Sequence, residues 1–222
     1  AKSKKISIRK IEKETGIKVN YSTYDTNEIM YQKVKTNPGT YDLVIPSDYM
    51  VQRMINENLL EKIDFNNIPN YQYIGDAYKN LSYDPTNEYS VPYMWGTMGF
   101  MYDPENISLE AVSSWDVVWD VNYKNQTSLK DSVRDTYIVA ALHVYKEELS
   151  LAKSLLESGQ YSIKQYNNKV TEIMNRCDDD TLDLIEKALK EAKNNIYEFE
   201  VDTGKTNIIN GKYYVNLCWS GD

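Results

Sequence analysis

The stretch Tyr41-Asp42-Leu43-Val44-Ile45-Pro46-Ser47-Asp48-Tyr49 constrains the fold more than any other part of this chain. A short apolar run meets a proline, which has no N–H for a sheet ladder, so a buried strand over Leu43 to Ile45 should end there. Ser47 or Asp48 then caps a helix with Met50, Val51, Met54 and Ile55 on its inner face. Upstream, Ile17, Val19 and Tyr21 alternate as a strand, and Asp25 with Glu28 reads as a capping box. That box opens a helix carrying Ile29, Met30 and Val34, which Asn37-Pro38-Gly39 breaks. Strand, helix and strand joined by short turns predict a parallel α/β sheet. Such sheets hold ligands beyond the carboxyl ends of their strands, which makes Ser47 and Tyr49 candidate ligand residues. Trp95 and Trp219 each precede a small residue, Gly96 and Ser220, as a ring at a strand end facing a gap would.

The remaining pattern supports the same class. Ile6 to Glu14 reads as a helix with Ile8 and Ile11 on one face and Gly16 placed to end it. Asn66 to Ser90 is polar and reads as loops and short helices, and Ser90 to Tyr102 as a strand-rich passage interrupted by Pro92 and Gly96. A lobe boundary near Thr97 divides the chain into lobes 1–97 and 98–222. In the second, Trp115, Val118 and Trp119 form an amphipathic turn, and Val133 to Tyr145 a helix. Thr181 to Lys193 is a further helix, with Leu182, Ile185, Leu189 and Ala192 inward and Glu186 paired to Lys190. A final strand, Tyr213 to Trp219, lies so close to Asp222 that the second lobe reads as partial.

Charge and residue types exclude several functions. A net charge of −8 argues against nucleic acid, whose phosphates want a basic face. No apolar run is long enough to span a bilayer, and the start, Ala1 rather than Met, carries no signal peptide. Cys177 and Cys218 allow at most one disulfide, and Cys218, within the apolar run Val215 to Trp219, suits a free buried thiol. The single histidine, His143, lies between Leu142 and Val144 with no local carboxylate or nucleophile, so it reads as helix filler. One histidine and two distant cysteines make no zinc site, and Asp178-Asp179-Asp180 suits a helix start better than a calcium loop. No phosphate-binding glycine loop or other cofactor motif is present. Twenty tyrosines against three phenylalanines fit either a wet, aromatic cleft or an AT-rich coding bias.

Asp131-Ser132-Val133-Arg134-Asp135 puts two carboxylates and a guanidinium at a helix opening. Capping plus a surface ion pair accounts for it, and so does a counter-charge for a bound cation in a cleft.

Taken with Lys13 to Val19, Tyr21 to Tyr24, Ser90 to Gly96, Ser114-Trp115 and Val215 to Gly221, these segments resemble, in order, the spermidine/putrescine-binding proteins of polyamine ABC transporters. The resemblance implies a two-lobed, type II periplasmic-binding-protein-like α/β fold that closes by a hinge on one polyamine. It implies that Ser47 and Tyr49 face the ligand from the first lobe, Ser132 and Asp135 from the second, and that Trp219 is an aromatic wall. Ser132 stands where some members carry a carboxylate, with Asp131 one residue earlier. The family's first strand, its Asn-Trp-x-x-Tyr loop and its C-terminal third have no counterpart here, and residues from about His143 to Tyr197 match poorly. The resemblance therefore implies an incomplete fold.

It further implies an extracytoplasmic protein that delivers its ligand to ABC permease subunits, held at the membrane by an anchor or permease fusion outside these 222 residues. No bond would be made or broken and no cofactor used. Alternatives are a related protein for a quaternary amine, a sugar or an iron complex, an enzyme acting on glycans through paired carboxylates, or a scaffold that binds nothing.

Overall fold

The computed structural model describes residues 2–221, with side chains from residue 8 onward. The chain forms two compact units, Ala1–Tyr93 and Met94–Asp222.

In the first unit, helix α1 (Lys2–Thr15) ends at Gly16, whose φ of +73° is the left-handed conformation that only glycine adopts cheaply. Helix α2 (Asn27–Thr36) is capped by Thr26, whose hydroxyl accepts from the Ile29 N–H at 3.3 Å. The expected Asp25–Glu28 box does not form: with Thr26 as the N-cap, Glu28 falls at the second helical position, and its carboxylate accepts from the Tyr49 hydroxyl. Helix α3 (Asp48–Asn56) packs Met50 and Met54 against Met30 and Tyr31 of α2, with Val44, Leu59 and Leu60 around them. Arg53 stacks 4.1 Å over the Tyr31 ring, whose hydroxyl donates to Glu57 at 2.6 Å.

The two expected strands of this unit are absent. Residues 17–21 and 43–45 lie outside any ladder, and Leu43 is 80% and Ile45 54% exposed. A strand exists only through a backbone ladder to a neighbour, and here the bonds that are made are to side chains: the Val19 N–H donates to Glu12 and the Ile45 carbonyl accepts from the Tyr24 hydroxyl. The strand expected over Ile17 to Tyr21 and the buried strand expected over Leu43 to Ile45 are therefore corrected to irregular chain.

The second unit holds a four-stranded sheet in the order β1 (Met98–Tyr102), β4 (Val215–Trp219), β2 (Thr127–Lys130), β3 (Glu198–Glu200). β4 runs antiparallel to β1 and parallel to β2, and β2 runs parallel to β3. Of the passage expected to be strand-rich from Ser90, only β1 is strand. Helices α4 (Leu109–Val112), α5 (Val133–Val144), α6 (Lys146–Glu157), α7 (Ile163–Asn175), α8 (Asp179–Asn195) and α9 (Gly204–Ile209) complete the unit.

Its core joins sheet and helices. Val118, Leu129, Val139, Ala192, Val215 and Leu217 are fully buried in one cluster, the larger side chains contributing about 1.5–3 kcal/mol each relative to exposure. The Trp119 indole N–H donates to the Ala188 carbonyl at 2.8 Å, tying the 3₁₀ turn Trp115–Val118 to α8. Asn195, also buried, donates to the carbonyls of Val118 and Asp120 at 2.8 and 3.0 Å. Asp178 caps α8 through the Thr181 N–H, as the aspartate run suggested. The helix turns Ile185, Ala188 and Ala192 inward, whereas Leu182 is 44% exposed, a quarter-turn away from its expected face.

Candidate ligand-binding site

The parallel strands β2, β3 and β4 point the same way, so their carboxyl ends share one edge of the sheet. Lys130, Glu200 and Trp219 are their last residues. The antiparallel β1 starts at this edge, with Met98 opposite Trp219, which brings Trp95 and Gly96 there as well. Ser220 fastens the junction: its N–H donates to the Thr97 carbonyl at 2.8 Å and its hydroxyl accepts from the Thr97 N–H at 3.0 Å. Asp131 follows β2 directly, its N–H donating to the Glu200 carbonyl at 2.8 Å. Ser132 is the N-terminal boundary of α5, and Asp135 lies in the helix's first turn. Thr136 locks that turn to the strand by donating to the Lys130 carbonyl at 2.5 Å.

Five of the seven candidate ligand residues, Trp95, Asp131, Ser132, Asp135 and Trp219, thus stand at a single edge. Trp95 is 71% and Trp219 40% exposed, so both present aromatic surface at this edge. Ser132 makes no capping hydrogen bond to its helix, so its hydroxyl is not committed to that role.

Ser47 and Tyr49 belong to the first unit, where Asn27 organises them. Its amide donates to Ser47 Oγ and to Tyr49 Oη, both at 3.0 Å, while its carbonyl oxygen accepts from the Ser47 N–H at 3.2 Å. The Tyr49 hydroxyl in turn donates to Glu28 at 2.9 Å. The hydroxyl is held at the start of α3 by contacts from α2. Asn27, and the contact that takes Glu28 out of its expected capping box, escaped the sequence reading because nothing local shows a side chain reaching about 20 residues along the chain.

Beneath the edge of the second unit lies a charged network that sequence reasoning also missed. The Lys130 ammonium and the Glu200 carboxylate are both about fully buried and 3.2 Å apart. Lys130 also donates to the Val201 carbonyl at 2.6 Å and sits 4.6 Å from the centre of the Trp219 ring. Glu200 accepts from Asn216 Nδ2 at 2.9 Å and from the Gly204 N–H at 2.8 Å. Burial pushes the Glu200 carboxyl up, but the hydrogen bonds from Asn216, Gly204 and Lys130 outweigh it and leave it below the ordinary carboxylate range. A lysine inside an otherwise buried strand was the available signal for this site.

His143 is better supplied than its neighbours in sequence suggest. Its Nδ1 bonds Asp116, its ring stacks on Trp119 at 3.8 Å, and Lys146 pairs with the same Asp116 at 3.0 Å. It lies near the far end of α5, about 15 Å along the helix from the edge that carries the candidate ligand residues. Among the described residues no group of histidines, cysteines and carboxylates is arranged to hold a metal, no helix is long and apolar enough to cross a membrane, and Cys177 and Cys218 are not joined in a disulfide.

Open α/β sheets hold ligands at the carboxyl edge, where this chain gathers aromatic rings and carboxylates. A model of the bacterial extracellular solute-binding protein family matches residues 7–222, and the chain belongs to that family. It is 32% identical over 215 residues to the spermidine/putrescine-binding periplasmic protein of Salmonella typhimurium, covering 96% of this chain and 54% of that protein. Its fold matches that of a Listeria monocytogenes structure described as a candidate spermidine/putrescine ABC transporter, with TM-score 0.79 and 31% identity, over 96% of this chain and 58% of that one. The spermidine/putrescine ABC transporter substrate-binding protein of Streptococcus pneumoniae matches with TM-score 0.63 and 32% identity over the same shares. The chain spans a little over half the length of each of these relatives.

Proposed function

We propose that the protein carrying this chain captures a polyamine, spermidine or putrescine, outside the cytoplasmic membrane and passes it to ABC permease subunits. The observation that carries this reading is the shared edge of the second unit, at which two exposed tryptophans stand with Asp131 and Asp135, in a chain whose relatives are named for polyamine binding.

The chemistry suits that ligand. Aliphatic amines resemble the lysine ammonium, with a pKa of about 10.4, and so carry charge at neutral pH. Enclosing an ammonium requires a partner charge, which Asp131 and Asp135 supply. The methylene linkers gain about 0.8 kcal/mol per buried CH₂ against flat apolar walls such as Trp219 and Trp95. Ser132 adds a hydroxyl acceptor for an amine N–H, and Ser47 and Tyr49 are proposed as the ligand-facing side chains of the first unit. Binding of this kind makes and breaks no covalent bond, so the protein acts as a carrier and not as an enzyme.

Calorimetric titration of Asp135→Ala and Trp219→Ala tests the assignment. Each should weaken spermidine binding at least about tenfold, the order expected for removing one charged partner or one aromatic wall. Unchanged affinity in both variants would remove this edge from the ligand site.

A further inference from the structure

A positively charged side chain beneath the wall of a site for cations requires an explanation. Lysine is almost never fully buried unless paired, and Lys130 is 3% exposed. Its ammonium approaches the Trp219 ring from within the unit, 4.6 Å from the ring centre, while part of the ring stays open to solvent. Contacts to the Val201 carbonyl at 2.6 Å and to Glu200 at 3.2 Å locate that charge. Glu200 is itself held by Asn216 and the Gly204 N–H, so the carboxylate cannot swing away from the pair.

We infer that Lys130 and Glu200 form a specificity-determining pair that sets the charge preference of the Trp219 wall; the inference rests on the polyamine reading above. A ring that already carries an ammonium on its inner side has less π attraction to offer a second cation on its outer side. A ligand ammonium stacked there would also lie close enough to Lys130 to be repelled, by about tenfold in affinity if nothing offset the charge. The Glu200 carboxylate supplies that offset. The wall therefore accepts methylenes and turns amines toward Asp131 and Asp135. It favours linear polyamines, whose charges are separated by alkyl segments, over compact quaternary ammonium ions that would need to sit on the ring itself.

The two halves of the pair should act with opposite sign, which a purely structural ion pair would not do. In titrations at low ionic strength, where screening is weak, Glu200→Gln should weaken spermidine binding about tenfold. Lys130→Met should not weaken it, and should raise the affinity for tetramethylammonium. The double variant Lys130→Met/Glu200→Gln removes both charges of this pair together and should bind spermidine within about threefold of the parent chain. Equal losses in both single variants and in the double would overturn the inference and mark the pair as structural.

A second readout needs no ligand. The part of the fluorescence lost in Trp219→Phe reports on this ring, and Glu200→Gln should raise its quenching by iodide relative to caesium about twofold. If the parent chain binds neither polyamine, the functional reading fails alone, and this quenching ratio still decides the electrostatic one. An unchanged ratio would refute it.

Discussion

Gly204→Ala tests whether the network under the sheet edge is as tightly built as its distances imply. A Cβ at this position would lie 2.2 Å from Asn216 Nδ2 and 2.3 Å from both Cγ and Oδ1 of the same side chain. Asn216 has no room to retreat, since it is 1% exposed and donates to Ser128 at 2.8 Å and to Glu200 at 2.9 Å. Either those hydrogen bonds break or the start of α9 moves, and moving it withdraws the Gly204 N–H from Glu200. Overpacking of this kind costs about 1–3 kcal/mol, and a lost hydrogen bond to a charged group about 1.5–3 kcal/mol. Alanine returns at most about 1 kcal/mol through its better helix propensity, so the net loss should be about 2–4 kcal/mol. Urea unfolding followed by far-ultraviolet circular dichroism measures it directly. Gly99→Ala is the matched control, because a Cβ on that β1 residue meets nothing within 4 Å. There the substitution should be neutral or stabilise by about 0.4–1 kcal/mol through the unfolded chain. Gly204→Ala as stable as the parent, or no less stable than Gly99→Ala, would refute the reasoning.

Two further outcomes follow from other parts of the structure. Asn195→Ala strips the Val118 and Asp120 carbonyls of their buried donor and should cost about 1–3 kcal/mol in the same urea assay; a loss below about 0.5 kcal/mol would show that water replaces it freely. Glu148 is held down to about 2 by Arg176 and then Lys169, so its folded pKa lies below its unfolded one. That contribution is complete above the unfolded pKa of about 4.3 and is lost as the pH falls toward about 2. Glu148→Gln should therefore flatten the acid side of the stability profile, seen as a smaller drop in urea midpoint; parallel profiles would contradict the ion-pair geometry.

What could be read from the sequence depended on the range of the interaction involved. Helix starts rest on contacts three or four residues apart, so Asp178 was legible as a cap and Gly16 as a stop. β4 was legible because Val215 to Trp219 is a largely apolar run of strand length, too short for a helix. The stretches at 17–21 and 43–45 had the composition of strands, but whether a strand forms is decided by a neighbour that local pattern does not reveal. The candidate site divided in the same way. Asp131, Ser132, Asp135 and Trp219 could be picked out because each follows or ends a strand, whereas Lys130 and Glu200 meet across 70 residues and Asn27 reaches Ser47 across 20. His143 looked isolated for the same reason, since Asp116 lies 27 residues before it.

The central claim is that this chain contributes a cation-selective, alkyl-accommodating edge to a polyamine site. Isothermal titration of the 222-residue chain with spermidine and putrescine, with glycine betaine as the control, tests it most directly. The account predicts saturable heat with a polyamine and none with betaine at the same concentrations. Saturable betaine binding without polyamine binding, or no saturable heat with either polyamine, would contradict it.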